Sequence, residues 1–527
     1  MQDIGAQKTM VETMVAGPGG GVGAGAPQPA GQLSAGKLLA QHRPQVLQMA
    51  LNLVEQRLVV DPVSIELLFE KGYLCEQLGR PADARVLYRQ VLERAPAHLG
   101  ALTNLGNMLF ASDGLTEANN LYWRAVKEHP EHIVSRTNLG NLLLKVGQFA
   151  AAREQFEAAL RIDPGYRAAH AGLAYVMEEL GDADRAALYR SKAFSGQCMV
   201  SLPYRGAQQP IKILLLLATT TGNVPTHRFL TNLLFERILV ATEYYEPGMA
   251  LPPHHLVFNA VGEADTSEQA LAGATAVLAN TKRPVINPPS AVQGTSRRAI
   301  AERLAAVPGV VTAQTTSMTR EQLLAPDAAT MLAEEGFVFP LLLRTPGFHG
   351  GKHFVRVETS AELAGAVEEL PGGELLVIEY LDARRADGKS RKYRVMLIDG
   401  KLYPLHVAIS NDWKIHYFSA DMAESAENRA EDQAFLTDMP GVLGEAAVRA
   451  LGQVEQILGL DYGGIDFGFN ERGEVLIFEA NSTMTVVVPD RDPRWDYRRP
   501  TVQGIYQALL QMLLSRAAAG LSAGGKI

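Results

Sequence analysis

The stretch that decides the fold reads Gly464-Ile-Asp-Phe-Gly-Phe469, Asn470-Glu-Arg-Gly473 and Glu474-Val-Leu-Ile-Phe-Glu-Ala-Asn481. Two strand-like segments flank a polar, glycine-containing tetrapeptide, a pattern that predicts a β-hairpin. If the tetrapeptide is the loop, Phe469 pairs with Glu474, whereas a loop of odd length would turn Asp466 to the other face. Strand side chains alternate between faces, so one face is then apolar: Ile465, Phe467, Phe469, Leu476 and Phe478. The other face carries Asp466, Glu479 and Asn481.

Two carboxylates and an amide on one face predict a metal site. Their oxygens are hard ligands that suit a magnesium ion bridging nucleotide phosphates. Gly464 and Gly468 leave space beside them. The alternative is the exposed polar face of an ordinary hairpin. Because Glu479 and Asn481 are embedded in apolar sequence, we favour the metal site.

The segments before this hairpin predict an antiparallel sheet. Glu374–Leu381 and Tyr393–Ile398 read as apolar strands, and the tight turn Asp399-Gly400 leads into a third strand, Lys401–His406. Arg394 lies inside the second strand, where an apolar residue would suffice, which indicates a role towards a phosphate or a substrate anion. The alternative is a charge at the sheet edge that faces water.

A glycine-rich turn, Arg344-Thr-Pro-Gly-Phe-His-Gly-Gly-Lys352, separates strands at 338–343 and 353–357. Such a flap can close over polyphosphate, with backbone N–H groups from Gly350 and Gly351 and positive charge from Arg344 and Lys352. The alternative is an ordinary hairpin turn.

Residues 209–308 predict a small α/β unit. Ile211–Ala218 reads as a buried parallel strand and Thr226–Val240 as the helix that follows it. Three further strands are predicted at 256–261, 276–280 and 284–288.

The first part of the chain is a repeat array. Pro62, Pro96, Pro130 and Pro164 recur at intervals of 34 residues. Other positions recur in register: Gly72, Gly106 and Gly140; Ala84, Ala118 and Ala152; Tyr88, Tyr122 and Phe156. This pattern resembles the tetratricopeptide family over residues 34–200, which implies an all-α superhelix with a concave groove for partners.

Asn104 and Asn138 occupy equivalent positions in successive repeats. Family members with such an asparagine ladder hold an extended peptide backbone through the amides, so both residues are candidates for peptide binding. The alternative is that they form hydrogen bonds between repeats.

The composition of the whole chain limits which partners and which location are expected. The chain has 527 residues, 47% of them hydrophobic, and a formal net charge of -8, which argues against a general nucleic-acid surface. The longest apolar run is far shorter than the roughly 20 residues of a membrane helix. With only Cys75 and Cys198 and no secretory signal pattern, we expect a cytoplasmic protein. Residues 1–33 predict a disordered Gly/Pro/Ala-rich tail, and residues 516–527 a flexible one.

Taken in order, residues 209–515 resemble an ATP-grasp enzyme of the glutathione synthetase and D-alanine ligase kind, with a preceding α/β domain at 209–308 and the ATP-grasp domain at 309–515. The resemblance implies that one or two Mg²⁺ ions, with Mn²⁺ as the alternative, bind to Asp466, Glu479 and Asn481. It places Arg394 near the transferred phosphate and adenine on the hinge strand, at Ile378, Glu379, Tyr380 and Leu381. The family usually has lysine where Arg344 stands; arginine keeps the charge but has a different geometry.

The implied reaction transfers the γ-phosphoryl group of ATP to a carboxylate, and an amine or a thiol then attacks the acyl phosphate. Neither the carboxylate nor the nucleophile is identified by the sequence. The repeats would recruit a peptide or protein partner. A non-catalytic, nucleotide-gated adaptor and an ATP-grasp phosphotransferase remain alternatives. The loop after the hairpin carries four candidates to hold a substrate carboxylate: Arg491, Arg494, Arg498 and Arg499. The alternative is that they are solvated charges paired with Asp490, Asp492 and Asp496.

Overall fold

The computed structural model describes residues 43–112, 114–206, 208–346, 353–415, 420–489 and 492–523. The predicted tail at 1–33 and the predicted flap residues Gly350, Gly351 and Lys352 lie outside these ranges. In the described part of the chain, no helix is both long and apolar enough to cross a bilayer.

The first third of the described chain is helical. Helix α1 is followed by four helical hairpins, α2–α3, α4–α5, α6–α7 and α8–α9. Their bounds are α1 Arg43–Val60, α2 Ile65–Gln77, α3 Pro81–Arg94, α4 Leu99–Ala111, α5 Leu115–Glu128, α6 Ile133–Lys145, α7 Phe149–Ile162, α8 Arg167–Glu179 and α9 Ala183–Phe194.

The recurring glycines and aromatic residues explain why the helices pair. A Cβ atom added at Gly140 would lie 2.7 Å from a ring carbon of Phe156, which is fully buried. Gly72 meets Tyr88 and Gly106 meets Tyr122 in the same way. Glycine therefore lets the first helix of each hairpin approach the ring on the second, and the repeating alanines of the second helices are fully buried: Ala84, Ala118 and Ala152.

A five-stranded sheet follows, in the order β1-β3-β2-β4-β5, with β2 to β5 parallel and β1 antiparallel at the edge. Its strands are β1 Met199–Ser201, β2 Ile211–Leu217, β3 Phe235–Ala241, β4 Leu256–Asn259 and β5 Val285–Ile286. The helices of this unit are α10 Glu268–Leu278, α11 Pro289–Gln293 and α12 Arg297–Leu304.

Two assignments in this unit were wrong. The predicted helix Thr226–Val240 is a short 3₁₀ turn, Thr226–Arg228, followed by strand β3. The predicted strand at 276–280 is the end of helix α10. Short apolar runs do not distinguish strand from helix by periodicity, and here burial between β1 and β2 stabilises the extended form of β3.

Two further sheets complete the chain. The first is antiparallel, in the order β7-β10-β8-β9, and the second has five strands in the order β12-β11-β13-β14-β6. The strands are β6 Val310–Thr312, β7 Thr315–Thr319, β8 Leu341–Arg344, β9 Phe354–Val357, β10 Glu374–Glu379, β11 Ser390–Ile398, β12 Lys401–Ser410, β13 Tyr462–Phe469 and β14 Val475–Asn481. The helices are α13 Arg320–Leu324, α14 Ala328–Glu334, α15 Leu363–Glu369, α16 Ala426–Thr437, α17 Met439–Leu443, α18 Glu445–Leu458 and α19 Arg499–Ala523.

The predicted flexible tail from residue 516 begins inside helix α19, which continues to Ala523. Arg516 forms ion pairs with Asp399 (2.7 Å) and Asp461 (2.8 Å), and Ala517 is buried. Arg516 and Ala517, at the start of the predicted tail, are therefore held by packing and charge, and residues 524–527 lie outside the described residues.

The α/β unit docks on strand β13 through Asn287, a buried residue with a φ of 54°. Its side chain donates to the carbonyl of Tyr462 (2.7 Å) and accepts from the Tyr462 N–H (2.9 Å). Its own N–H donates to Asp461 (2.9 Å). These bonds fix the carboxyl ends of the parallel strands near the hairpin β13–β14.

Candidate functional site

The hairpin β13–β14 keeps the predicted polar face, but by a different register. Its loop has five residues, so Phe469 pairs with Val475 rather than with Glu474. Phe478 is an extra, bulged residue, after which Asp466 lies directly opposite Glu479 and Gly464 opposite Asn481. The odd-numbered loop moves the residues of β14 that follow it to the opposite face of the sheet, and the bulge restores the predicted faces for Glu479 and Asn481.

The prediction of the apolar face was wrong for two residues, Leu476 and Phe478. Leu476 pairs with Gly468 on the polar side, and Phe478 is 38% exposed. The residues of β14 that pair with the apolar face of β13 are Val475, Ile477 and Ala480. The cause is the same odd loop, which shifts every residue between it and the bulge to the opposite face.

Asp466 is the buried anchor of the polar face, with 1% of its surface exposed. Arg394, on the neighbouring strand β11, donates to it from Nε (2.5 Å) and Nη2 (2.7 Å). The Nζ of Lys392 lies 3.2 Å from the same carboxylate. Burial alone would raise the pKa of Asp466, but the two cations hold this pKa well below its usual range. Asp466 is therefore ionised, and Arg394 faces the site rather than water.

Glu479 and Asn481 form the second part of this face. The Asn481 amide donates to the Glu479 carboxylate (2.9 Å), while its carbonyl oxygen accepts from the N–H and the hydroxyl of Thr483 (3.0 and 2.9 Å). These bonds assign the Asn481 oxygen to the side of Thr483 and fix the orientation of Glu479.

The donor set fits a hard divalent cation. Asp466 and Glu479 provide ionisable oxygens on one face, and a carboxylate oxygen can accept a cation in addition to a hydrogen bond. Among the described residues, no cluster of three or more His, Cys, Asp or Glu side chains is arranged to hold a metal ion. An ion here would thus depend on two carboxylates, one amide and oxygens that the nucleotide supplies.

Arg344 ends strand β8, beside this face. Burial, and then the charge of Arg297, lower its pKa, whereas Glu479 and Glu263 act in the opposite direction. Its guanidinium also lies 5.9 Å from the ring centroid of Phe354. Arg344, predicted to bind phosphate, and Glu479 therefore lie close enough for their charges to interact.

The predicted hinge residues lie at the end of strand β10, all partly exposed: Ile378, Glu379, Tyr380 and Leu381. The Glu379 N–H donates to the Gln314 carbonyl (2.8 Å), and its carboxylate accepts from the Gln314 N–H (3.0 Å). The Tyr380 ring is covered by Arg356 at 4.8 Å and meets the edge of Trp413 at 6.3 Å. Sequence reasoning missed Arg356 and Trp413, because their proximity arises from pairing between distant segments.

Sequence reasoning also missed Glu263, in the loop after strand β4. This loop and the loop after β2 meet at the point where the strand order reverses, the usual ligand crevice of an open parallel sheet. A Cβ atom at Gly222 would lie 2.5 Å from that of Glu263, and Gly262 contacts Ser482, whose hydroxyl donates to its carbonyl (3.2 Å). The crevice therefore adjoins the end of the hairpin β13–β14.

Burial raises the pKa of Glu263 to about 7; the charge of Arg297 opposes this effect, whereas Glu479 and Asp265 raise the pKa by smaller amounts. The folded protein thus binds a proton that the unfolded chain releases at lower pH. The stability linked to Glu263 is fully present below pH 4.5 and is lost as the pH rises through about 7.

We expect Glu263→Gln to exceed the wild type in unfolding free energy by about 1–3 kcal/mol at pH 8 and to match it near pH 4.5. Urea unfolding at the two pH values measures this difference. Glu302→Gln, at an exposed surface pair, is the matched control and should show no such pH dependence. An equal difference at both pH values would contradict the assignment.

Three of the four loop arginines pair with aspartates, as in the alternative interpretation, and Arg491 lies outside the described residues. Arg494 pairs with Asp492 (2.6 Å) and Arg499 with Asp496 (2.8 Å), both partly exposed. Arg498 is buried against Asp432 (3.4 Å) and donates to the Leu405 carbonyl (3.0 Å). These contacts hold the loop on strand β12.

Asn104 and Asn138 are both buried, with 6% exposure. Asn104 donates to the hydroxyl of Tyr88 (3.1 Å), and Asn138 donates to the Asn107 oxygen (2.9 Å), which also accepts from the hydroxyl of Tyr122 (2.7 Å). These contacts match the alternative interpretation, in which the asparagines form hydrogen bonds between repeats. Peptide binding by the two residues stays a prediction.

The helical region matches a family model described as tetratricopeptide repeat, over residues 50–132 and 137–197. These hairpins are tetratricopeptide repeats. Tetratricopeptide arrays present a groove for protein partners.

Solved structures of MamA proteins are also similar to this chain. A crystal structure of MamA is 24% identical and covers 29% of this chain and 90% of its own, with a TM-score of 0.27. MamA AMB-1 is 23% identical, covers 30% and 86%, and has a TM-score of 0.26. A MamA RS-1 double mutant is 20% identical, covers 31% and 93%, and has a TM-score of 0.27. No curated protein matches the chain.

Proposed function

We propose that residues 209–515 form an ATP- and magnesium-dependent carboxylate–amine ligase of the ATP-grasp kind, recruited to a peptide or protein by the repeats. The observation that carries this proposal is the common face of Asp466, Glu479 and Asn481, next to Arg394. The order of the three sheets along the chain supports it.

Asp466 and Glu479 would hold one or two Mg²⁺ ions, which offset the negative charge of the ATP phosphates when bound, and the Asn481 oxygen would join them on turning away from Thr483. Arg394 and Lys392, both paired with Asp466, are next to this position and add two cations on the same side. Arg344 adds a third cation from strand β8. This concentration of positive charge favours a phosphoryl group in transfer.

The reaction proceeds in two steps. A carboxylate oxygen of the substrate attacks the γ-phosphorus of ATP, the bond to the bridging oxygen breaks, and ADP leaves. An amine then attacks the acyl carbon, loses a proton and expels phosphate, which forms the amide. Residues 378–381 would hold adenine, and the crevice at Gly222 and Glu263 is the place for the substrate, because it adjoins the metal-binding face.

The substitution of arginine for the usual lysine at Arg344 favours a second candidate, a non-catalytic adaptor gated by ATP. Its guanidinium is partly buried and oriented by surrounding charges, so it could bind nucleotide without promoting transfer. A phosphotransferase is the third candidate.

Hydroxylamine distinguishes the candidates, because it converts an acyl phosphate to a stable hydroxamate. We expect the purified chain, with ATP, Mg²⁺ and a mixture of carboxylic acids, to release ADP and hydroxamate in equal amounts, and Glu479→Gln or chelation by EDTA to abolish both. ATP binding without ADP would identify the adaptor. A stable phosphorylated product in the mass spectrum, without hydroxamate, would identify the phosphotransferase.

A further inference from the structure

The first helices of the repeats carry equivalent positions at intervals of 34 residues, and the groove of an array is formed by such positions. One set is Tyr73, Asn107, Asn141 and Tyr175, and another is Glu76, Phe110, Leu144 and Glu178. Burial along these sets is uneven. Tyr73 is 36% exposed, whereas Asn141 is 4% and Tyr175 is 6% exposed. In the first set the exposed fraction is thus greatest at the first hairpin, whereas in the second set Glu76 has 14% and Glu178 35% of its side chain exposed.

The first hairpin is contacted by a residue from far along the chain. Arg205, in the segment that joins the repeats to the α/β unit, forms an ion pair with Glu76 on α2 (3.0 Å). Its backbone is held on the other side, because its N–H donates to the Asn232 carbonyl (2.8 Å). Nearby, the N–H of Leu202 donates to the Arg237 carbonyl (2.9 Å). The segment therefore belongs to the α/β unit and reaches the array through one side chain.

Glu76 is well placed to receive a guanidinium. Its second oxygen accepts from the hydroxyl of Tyr88 (2.9 Å), and that hydroxyl accepts from the Asn104 amide (3.1 Å). The carboxylate is thus oriented from behind by Tyr88 and Asn104, with 14% of its side chain exposed at the position that Arg205 takes. An oriented carboxylate of this kind selects arginine or lysine.

We propose that Glu76 is the binding site for a basic side chain of a peptide partner, and that Arg205 fills this site when the partner is absent. The Arg205 side chain keeps 33% exposure, so solvent reaches the guanidinium of the pair although Glu76 is mostly buried. A partner arginine would make the same contact with the Glu76 carboxylate that Arg205 gives up, so exchange leaves the carboxylate paired. Exchange would detach the first hairpin from the joining segment, and so couple the array to the α/β unit. The inference does not depend on the proposed ligase.

Fluorescence anisotropy of the full-length chain tests the exchange. The probe is a fluorescein-labelled heptapeptide library with arginine at the centre and mixed residues elsewhere, beside the same library with neutral citrulline at the centre. We expect Arg205→Ala to bind the arginine library about three- to five-fold more tightly than the wild type, since the competing pair is removed. Glu76→Gln should remove the preference for arginine over citrulline, and the double variant should behave like Glu76→Gln.

Arg298→Ala, which removes an exposed pair on helix α12, is the control and should leave binding unchanged. If Arg205→Ala does not bind the arginine library more tightly than the wild type, the proposal is wrong. It is equally wrong if Glu76→Gln keeps the preference for arginine. In both cases the Arg205–Glu76 ion pair only joins the first hairpin to the segment before the α/β unit, and thermal unfolding of the two variants would report the contribution of this pair to stability.

Discussion

Glu479→Gln should weaken magnesium-dependent ATP binding by roughly 100-fold and leave the chain folded. The amide is isosteric and keeps a polar partner for Asn481, but it removes one of the two carboxylates proposed to bind the metal. It also removes a negative charge that acts on Glu263, so stability should not fall. Isothermal titration calorimetry with ATP, with and without Mg²⁺, measures the change.

Glu474→Gln is the matched control, because Glu474 belongs to the same hairpin but lies in its loop, bonded to Asn470 (2.7 Å). It should bind ATP as the wild type does. Asp466→Asn is a poorer test, since it leaves Arg394 and Lys392 without their buried partner and should cost about 3–5 kcal/mol of stability. Unchanged magnesium dependence in Glu479→Gln would rule out the metal site.

Phe156→Ala should destabilise the repeat array by about 3–5 kcal/mol. The ring is fully buried and fills the space left by Gly140 on one side and by Gly172 on the other, so its loss opens a cavity between two hairpins. Urea unfolding followed by far-ultraviolet circular dichroism should show an early loss of helical signal.

The control is Tyr122→Phe, at the equivalent position of the preceding repeat. It keeps the ring against Gly106 and removes only the hydroxyl bond to Asn107, so it should cost about 0.5–1.5 kcal/mol. Equal destabilisation by the two variants would show that the ring at this position does not hold the hairpins together.

The repeats could be predicted from the sequence because each hairpin depends on local packing. The spacing that brings Gly72, Gly106 and Gly140 against an aromatic ring is contained within about one repeat length. The strand β3 could not be predicted in this way, since its extended form depends on neighbours at both sides in the sheet. Local periodicity favoured a helix there.

The candidate site was predicted in part. Strand alternation placed Asp466, Glu479 and Asn481 together, but the pairing of Arg394 with Asp466 required knowledge of the neighbouring strand. Glu263 was missed because it enters the site from another sheet, and no local motif marks such a residue. For Asn104 and Asn138, the sequence predicted their equivalent positions but not their contacts. The pattern identified equivalent residues, and only the structure gave their hydrogen-bond partners.

The bulge at Phe478 sets a rule for how this hairpin can change in evolution. A change of one residue in the loop and the loss of the bulge would each move the side chains of β14 to the opposite face of the sheet. Glu479 and Asn481 therefore stay on the face of Asp466 only when both changes occur together. Loss of a single loop residue would bring apolar side chains to the face that carries Asp466 unless the bulge were lost with it. Insertions and deletions between Asp466 and Glu479 should therefore be tolerated in pairs, so this short segment should vary in length far less freely than an exposed turn.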